Sequence, residues 1–498
     1  MALSRIWSAF IIVAVMVAGI RLASGDQTIL NRMVVGKASD PYDSIYYLSI
    51  GSPSNQKLSS RYFDFLREYG YARRDSVQKA TILLTDNLEA DSVNILRAAN
   101  PAIKVYSYLT VQSHLRRNAD GIIQTAKTSV TDIIIPLIGI MALFMGFLSI
   151  AERAGGIRLL ARIIGPFFSK LFPDVPKGHP SIGHMMMNYS ANLLNLDNAA
   201  TPFGLKTMES LQEINPNKTV ASNSQIMFLC LHASGLTLIP VPIIAFRSSL
   251  GAKTPTDIFV PCMIATFVTT VAAMFIIAYR QKIKIFQPIV MAWVGGIAAV
   301  MALLVWYVTT LSQKGAESFS GVLSNGIILL FFVAIVAGAL YKKIDVFDAF
   351  VEGAKGGFET AVRIIPYIVG MLVAISMLRT SGTFDIIING IKSLFTAIGT
   401  DTRFVDGLPT ALIRPLSGSG ARGMMLDTMK TFGPDSFAGR LSCILQSTSD
   451  TTFYAVALYF GAVGIKNTRY TIGAMLLAEL TGILASIFLA YLFFGTSA

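Results

Sequence analysis

Apolar runs of about 20 residues, the length that crosses a bilayer as a helix, recur at 6–22, 133–150, 258–278, 285–309, 322–340 and 472–494. Four other segments are apolar but interrupted by polar residues and glycines: 188–204, 228–246, 414–430 and 442–460. Irregular backbone at membrane depth is tolerated only where it is buried in protein or lines a cavity. Paired broken segments in corresponding places of two halves are a transporter-like pattern. With the stretch 361–377, the length rule predicts roughly 9 to 11 crossings.

The first apolar run follows Arg5 and reads as an uncleaved anchor over 1–35, with a cleaved signal peptide as the alternative. The pattern then changes. Residues 36–119 alternate as SIYYLSI, an amphipathic LSSRYFDFLREYG, KATILLT, ADSVNILRAA and IKVYSYLTV, which predicts a small soluble α/β insertion. Its side of the membrane is not set by the charge rule, which fails for domains of this length.

Two related halves follow, 120–283 and 346–498, joined by two plain spanning helices within 284–345. DIIIPLIGIM and VRIIPYIVGM each place a proline, Pro136 or Pro366, in the first turns of an apolar helix, and Met141 or Met371 five residues on. Gly155-Gly156 and Gly382 then break the chain ahead of a short amphipathic stretch. Ala200, Leu205, Thr207 and Met208 match Ala421, Leu426, Thr428 and Met429 at constant offset, and Leu231, Thr237 and Phe246 match Leu445, Thr451 and Phe460. The fold class expected is an α-helical polytopic membrane protein of two repeats with broken helices.

Composition agrees, with 53% hydrophobic residues, 14% charged and a mean hydropathy of +0.58. The net charge of +12 is scattered between apolar segments with no stacking or groove-reading motif, so no nucleic-acid partner is expected. Cys230, Cys262 and Cys443 fall in apolar segments, and neither a disulfide framework nor a metal site is indicated.

Candidate chemistry sits in the breaks. A helix that starts at membrane depth offers unpaired N–H groups and the positive end of its dipole. In the second half Arg414, Ser417, Gly418, Ser419, Gly420 and Arg422 combine close backbone approach, hydroxyls and cationic donors suited to an anion. The first-half break supplies Asn188, Ser190, Asn192, Asn195, Asp197, Asn198 and Thr201, which suit a sugar, a base edge or a cation. His232 and Ser234 stand opposite Gln446 and Thr448, with Ser447 beside them. For each of these, capping or gluing of helices is the structural alternative. Intramembrane charges are costly and usually functional, which singles out Asp197, Asp427 and Asp450, with Arg414, Arg422 and Lys206 as partners. Asp450 with Thr451 and Thr452 is the ion-coupling candidate, for Na+ or H+; a salt bridge to an arginine is its structural alternative.

NAATPFGLKTM and PTDIF resemble spore maturation protein A, whereas RPLSGSGARGMM, STSDTTFYAVALYFG and KNTRY resemble spore maturation protein B. The chain resembles a fusion of these two families, within the nucleoside-recognition or Gate-domain superfamily. The resemblance covers 1–35 and about 121–498, and the insertion departs from it. It implies a multi-pass protein of the inner membrane with two Gate domains and a transport role.

No GxxxxGK[ST], HExxH, GxSxG or paired-cysteine motif is present, so an enzyme is not expected and no cofactor is implied. The favoured function is a secondary transporter or channel for a small polar or anionic solute, nucleoside-like or carboxylate, bound between the repeats. The alternative is a non-transporting assembly or regulatory protein, with the insertion as its partner-binding module. Substrate, coupling ion and self-association are not fixed by the sequence.

Overall fold

A computed structural model describes residues 2–36, 42–50, 73–75, 80–84, 104–106, 109–117, 120–193, 197–285, 287–311, 313–397 and 399–495. Helices α1 (Ala2–Ala23) and α2 (Ile29–Val34) come first. The first half is α3 (Ile122–Arg153), α4 (Gly156–Leu171), α5 (Pro180–Leu193), α6 (Asp197–Glu213), α7 (Asn223–Ala233), α8 (Val241–Ser249) and α9 (Phe259–Gln281). Two helices, α10 (Pro288–Thr309) and α11 (Gln313–Tyr341), lead to the second half. That half is α12 (Val346–Thr380), α13 (Thr383–Ala397), α14 (Leu408–Ile413), α15 (Gly418–Phe432), α16 (Phe437–Ser447), α17 (Thr452–Ala462) and α18 (Thr471–Phe494).

Among the described residues six helices are long and apolar enough to cross a membrane: α3, α9, α10, Ser318–Tyr341 of α11, α12 and α18. Helix α12 is longer than its apolar stretch, about 52 Å at about 1.5 Å per residue. Its polar first turns extend beyond a hydrocarbon core of about 30 Å, and Asp345 caps them by accepting from the Asp348 N–H at 2.9 Å. The expected prolines lie differently from each other. Pro366 is inside α12. Pro136 follows a π-helical stretch, Ser129–Ile134, that continues back into helix; the wider turn accommodates a residue that lacks an N–H.

Element by element, the halves match in order. At the first joint of each, Gly155 (φ 83°) and Gly382 (φ 77°) take the left-handed conformation that ends the long helix. The first short helix of each broken pair starts at a serine cap: Ser222 Oγ accepts from the Gln225 N–H at 3.3 Å, and Ser436 Oγ from the Gly439 N–H at 3.0 Å. Equivalent helices also meet across the halves, α3 with α12 and α9 with α18, while α7 meets α17 and α8 meets α16. Such an exchange of like contacts is what a two-fold relation produces.

The outer ends of the crossed short helices are fastened by different chemistry. Where α8 ends beside the start of α16, Arg247 Nη2 donates to Asp257 Oδ1 at 2.9 Å and Asp435 Oδ1 at 3.0 Å. Arg440 Nε donates to Asp257 Oδ2 at 2.9 Å, and the side chains of Arg247 and Asp257 are 0% and 2% exposed. Where α17 ends beside the start of α7, the ties are amides. Gln212 Nε2 donates to the Val463 carbonyl at 3.0 Å, Asn215 Nδ2 to Gln225 Oε1 at 3.2 Å, and the Ala221 N–H to the Asn467 carbonyl at 2.9 Å.

Between α2 and α3, strand β1 (Tyr42–Ile50) pairs antiparallel with β5 (Leu109–Arg117). Separately, β3 (Ala80–Leu84) pairs with β2 (Arg73–Asp75) and β4 (Lys104–Tyr106). The helices expected at 58–70 and 90–99 lie outside the described residues, and two separate ladders do not make the expected α/β unit. The fold established is a mostly helical multi-pass membrane protein.

Candidate functional site

The polar stretches are more helical than their composition suggests. In 414–430 the gap falls at 414–417, between α14 and α15, whereas 194–196 of the first stretch lie outside the described residues. The other described polar residues of these stretches sit on helices, and one of them, Ser190, keeps a buried hydroxyl without a partner. Two further irregular stretches are 234–240, between α7 and α8, and 448–451, between α16 and α17. Bonds within each half hold them in place: the Leu238 N–H donates to the Leu193 carbonyl at the end of α5 at 3.1 Å, and the N–H of Phe453, just after the second stretch, to the Pro415 carbonyl at 3.1 Å. The second of these stretches also meets the end of α7, through an Asp450 N–H to Ala233 carbonyl bond of 2.6 Å.

A cavity of about 880 Å³ opens there, walled by both halves. The first half contributes Asn192, Thr201, His232, Gly235 and Thr237. From the second half come Arg414, Ser417, Gly418, Ser419, Arg422, Gln446, Ser447, Asp450 and Thr451. Sequence reasoning thus gathers twelve of its candidates, all of these except Gly235 and Thr237, into one space.

The first-half wall is an ordered amide–imidazole group. Asn188 Nδ2 donates to the Ala200 carbonyl at 2.6 Å, its Oδ1 lies 3.0 Å from His232 Nδ1, and Asn192 Nδ2 lies 2.8 Å from the same nitrogen. The His232 ring stands edge-on to Tyr459, with centroids 4.8 Å apart at 82°. On the second-half wall Ser417 Oγ accepts from the Gly420 N–H at 3.0 Å and starts α15. A Cβ on Gly418 would fall 2.6 Å from Thr451 Oγ1, so only glycine lets the two segments approach here. Arg414 crosses the break to the Ser449 carbonyl, and Arg422 lies over the Phe246 ring with 5.8 Å to the centroid. Both arginines are therefore positioned by the wall they line. Asp450 is exposed to the cavity, and its Oδ1 accepts from the Thr451 N–H at 2.7 Å. Among the described residues it forms no ion pair within 4.0 Å, in contrast to the salt-bridge alternative.

Other candidates lie behind the wall. Asn188, Ser190, Ser234, Gly420, Thr448 and Thr452 are buried, with Ser234 Oγ bonded to the Cys230 carbonyl at 2.9 Å and Thr448 Oγ1 to the Leu445 carbonyl at 2.9 Å. Lys206 is exposed on α6. Asn195 and the side chains of Asp197 and Asn198 lie outside the described residues. Asp427 does not pair with Arg414, Arg422 or Lys206; its partner is Arg379 of α12, whose Nε donates to Asp427 Oδ2 at 2.6 Å. That pair joins α12 to α15, away from the cavity lining.

One intramembrane carboxylate escaped the sequence reading. Glu479 sits in α18 with 3% exposure and accepts from Ser449 Oγ at 3.1 Å and Thr452 Oγ1 at 3.3 Å. It backs the 448–451 break, and its signal was plain: a glutamate in the middle of a spanning helix.

The chain is 46% identical over 177 residues to spore maturation protein B of Bacillus subtilis (strain 168), covering 35% of this chain and 98% of that protein. It is 40% identical over 168 residues to spore maturation protein A of the same strain, covering 33% of this chain and 85% of that protein. No solved structure matches the chain. The profile of one family, Gate (nucleoside recognition), matches twice, at 134–286 and 361–466, so the two halves that wall the cavity are two copies of one domain. With those matches spanning more than half of its length, the chain belongs to the Gate nucleoside-recognition family, its halves related to spore maturation proteins A and B.

Proposed function

We propose that this protein is a secondary transporter or channel of the cell's inner membrane that moves a small polar or anionic solute, nucleoside-like or carboxylate, through the cavity between its two Gate domains. The observation that carries this is the meeting of both irregular stretches in one cavity lined by Arg414, Arg422, His232, Asn192 and Asp450. Polar side chains and a carboxylate exposed at membrane depth cost free energy that a purely structural protein has no reason to bear. Asp450, beside Thr451 and Thr452, is the group assigned to coupling with Na+ or H+. The solute meets the arginines and the start of α15 on one wall and the amide–imidazole group on the other.

The test is solute-dependent stabilisation of the purified protein, since a ligand that binds only the folded state raises its melting temperature by mass action, followed by flux into proteoliposomes. Stabilising solutes should cross, and Arg414→Gln should abolish both effects. If solutes of neither class bind or cross, an assembly or regulatory role for the membrane domain takes its place.

A further inference from the structure

We infer that His232 is held as the neutral tautomer with its proton on Nδ1, so that bare Nε2 offers a hydrogen-bond acceptor to the cavity and the solute must bring a donor. This rests on the cavity being the solute site and narrows the class of solute.

The tautomer follows from one anchored amide. Asn188 Nδ2 faces the Ala200 carbonyl at 2.6 Å, and a carbonyl can only accept, so the Asn188 amide is fixed with its nitrogen there. Its Oδ1 is then the atom 3.0 Å from His232 Nδ1, and it too can only accept. Nδ1 must carry a hydrogen. A neutral imidazole has one N–H, which leaves Nε2 with a lone pair. Asn192 also adjoins Nδ1. A protonated Nδ1 requires Asn192 to turn its amide oxygen there; a half-turn of the amide does this and sends its NH2 toward the cavity it lines.

A charged ring is disfavoured by its surroundings. His232 is 7% exposed, packed between Phe228 and Tyr459, and among the described residues no carboxylate lies within 4.0 Å of it. Asp450 shares the cavity wall without pairing to it. A buried cation is costly without a directly paired carboxylate, and Asp450, although it acts on the ring electrostatically, is not close enough to pair with it. Nε2 has no partner among the described residues and is not among the sealed-off polar atoms, and the ring lines the cavity.

Gln446, at the position equivalent to His232, also lines the cavity, but its amide oxygen is sealed from it and has no partner, so the acceptor open to the solute is His232 Nε2, with the arginines on the second-half wall. The solute that fits carries hydroxyl or N–H groups as well as an anionic or carbonyl end. A bare anion satisfies only half of the wall.

The test uses 15N-histidine labelling of the full chain in nanodiscs. His114→Gln, His179→Gln and His184→Gln together leave His232 as the single reporter, and the labelled wild type, whose four histidines must include one in this state, serves if the triple variant fails to fold. The expected spectrum shows protonated Nδ1 and unprotonated Nε2. An Nε2–H tautomer or an imidazolium overturns the inference. Binding is then compared for ribose 5-phosphate and inorganic phosphate: at least tenfold tighter binding of the former is expected, and equal affinity overturns the donor requirement. A bare Nε2 with neither compound bound refutes the solute site proposed above rather than the tautomer.

Discussion

Replacing Asp257 by alanine should be among the most destabilising single changes in the chain. Its carboxylate takes the Arg247 guanidinium on one oxygen at 2.9 Å and the Arg440 guanidinium on the other at 2.8 and 2.9 Å, with all three side chains at or below 9% exposure. Removal leaves two buried cations facing each other with their shared counter-charge gone. Breaking a buried pair in this way costs about 3–5 kcal/mol. Asp435 touches the same Arg247 but is 27% exposed, so Asp435→Ala should cost about 1 kcal/mol or less. Urea unfolding of the detergent-purified protein, followed by tryptophan fluorescence, measures both. The Asp257→Ala/Arg440→Ala double-mutant cycle should return a coupling of at least about 1 kcal/mol, because the residues share one network. An Asp257→Ala variant within about 1 kcal/mol of wild type, or one no worse than Asp435→Ala, would refute the placement of this cluster as the clamp between α8 and α16.

Asp450→Asn should leave the amount of folded protein near wild type while abolishing ion-dependent flux in proteoliposomes; wild-type flux per folded molecule removes Asp450 from the coupling mechanism. Glu479→Ala strands the hydroxyls of Ser449 and Thr452 and should cost about 1–3 kcal/mol, whereas Glu479→Gln, which still accepts, should cost clearly less; equal losses in a thermal melt would contradict those bonds. Gly418→Ala should reduce flux per folded molecule at least tenfold, because its Cβ meets Thr451 Oγ1 at 2.6 Å and Arg414 Nη1 at 3.4 Å and displaces the wall of the cavity; undiminished flux would place the solute path elsewhere. Arg379→Ala should destabilise by about 3–5 kcal/mol by leaving Asp427 unpaired, with little change in solute affinity per folded molecule, and a selective loss of affinity would bring that pair into the site.

Much of this architecture is written in local punctuation. Gly155 and Gly382, and the matched positions His232 and Gln446, can be found by aligning the halves by eye, because a helix stop or a break needs particular residues at particular places. The polar stretches were harder to read. Asparagine, serine and glycine at membrane depth signal either a break or a helix whose polar face is covered, and only tertiary packing distinguishes them; here most of 188–193 and 418–430 is helix. The Arg247–Asp257–Arg440 cluster was not legible at all, since Arg440 lies 183 positions from Asp257 and each residue alone resembles a loop charge. Asp427 carries a signal of function by its depth, yet its partner is Arg379 of α12, 48 positions away on a helix that no local pattern places beside it. Glu479 shows the opposite failure, a signal present and passed over.

The Asp450 N–H to Ala233 carbonyl bond joins the 448–451 stretch to the last residue of α7 through main-chain atoms alone. No ordinary side-chain substitution deletes it, so an alanine scan of the cavity is blind to this one of the ties between the two domains. Natural drift in either half meets the same constraint. Asp450→Pro, which removes the donor nitrogen, is the change that would test this tie apart from the Arg247–Asp257–Arg440 cluster and the helix contacts that also hold the halves together.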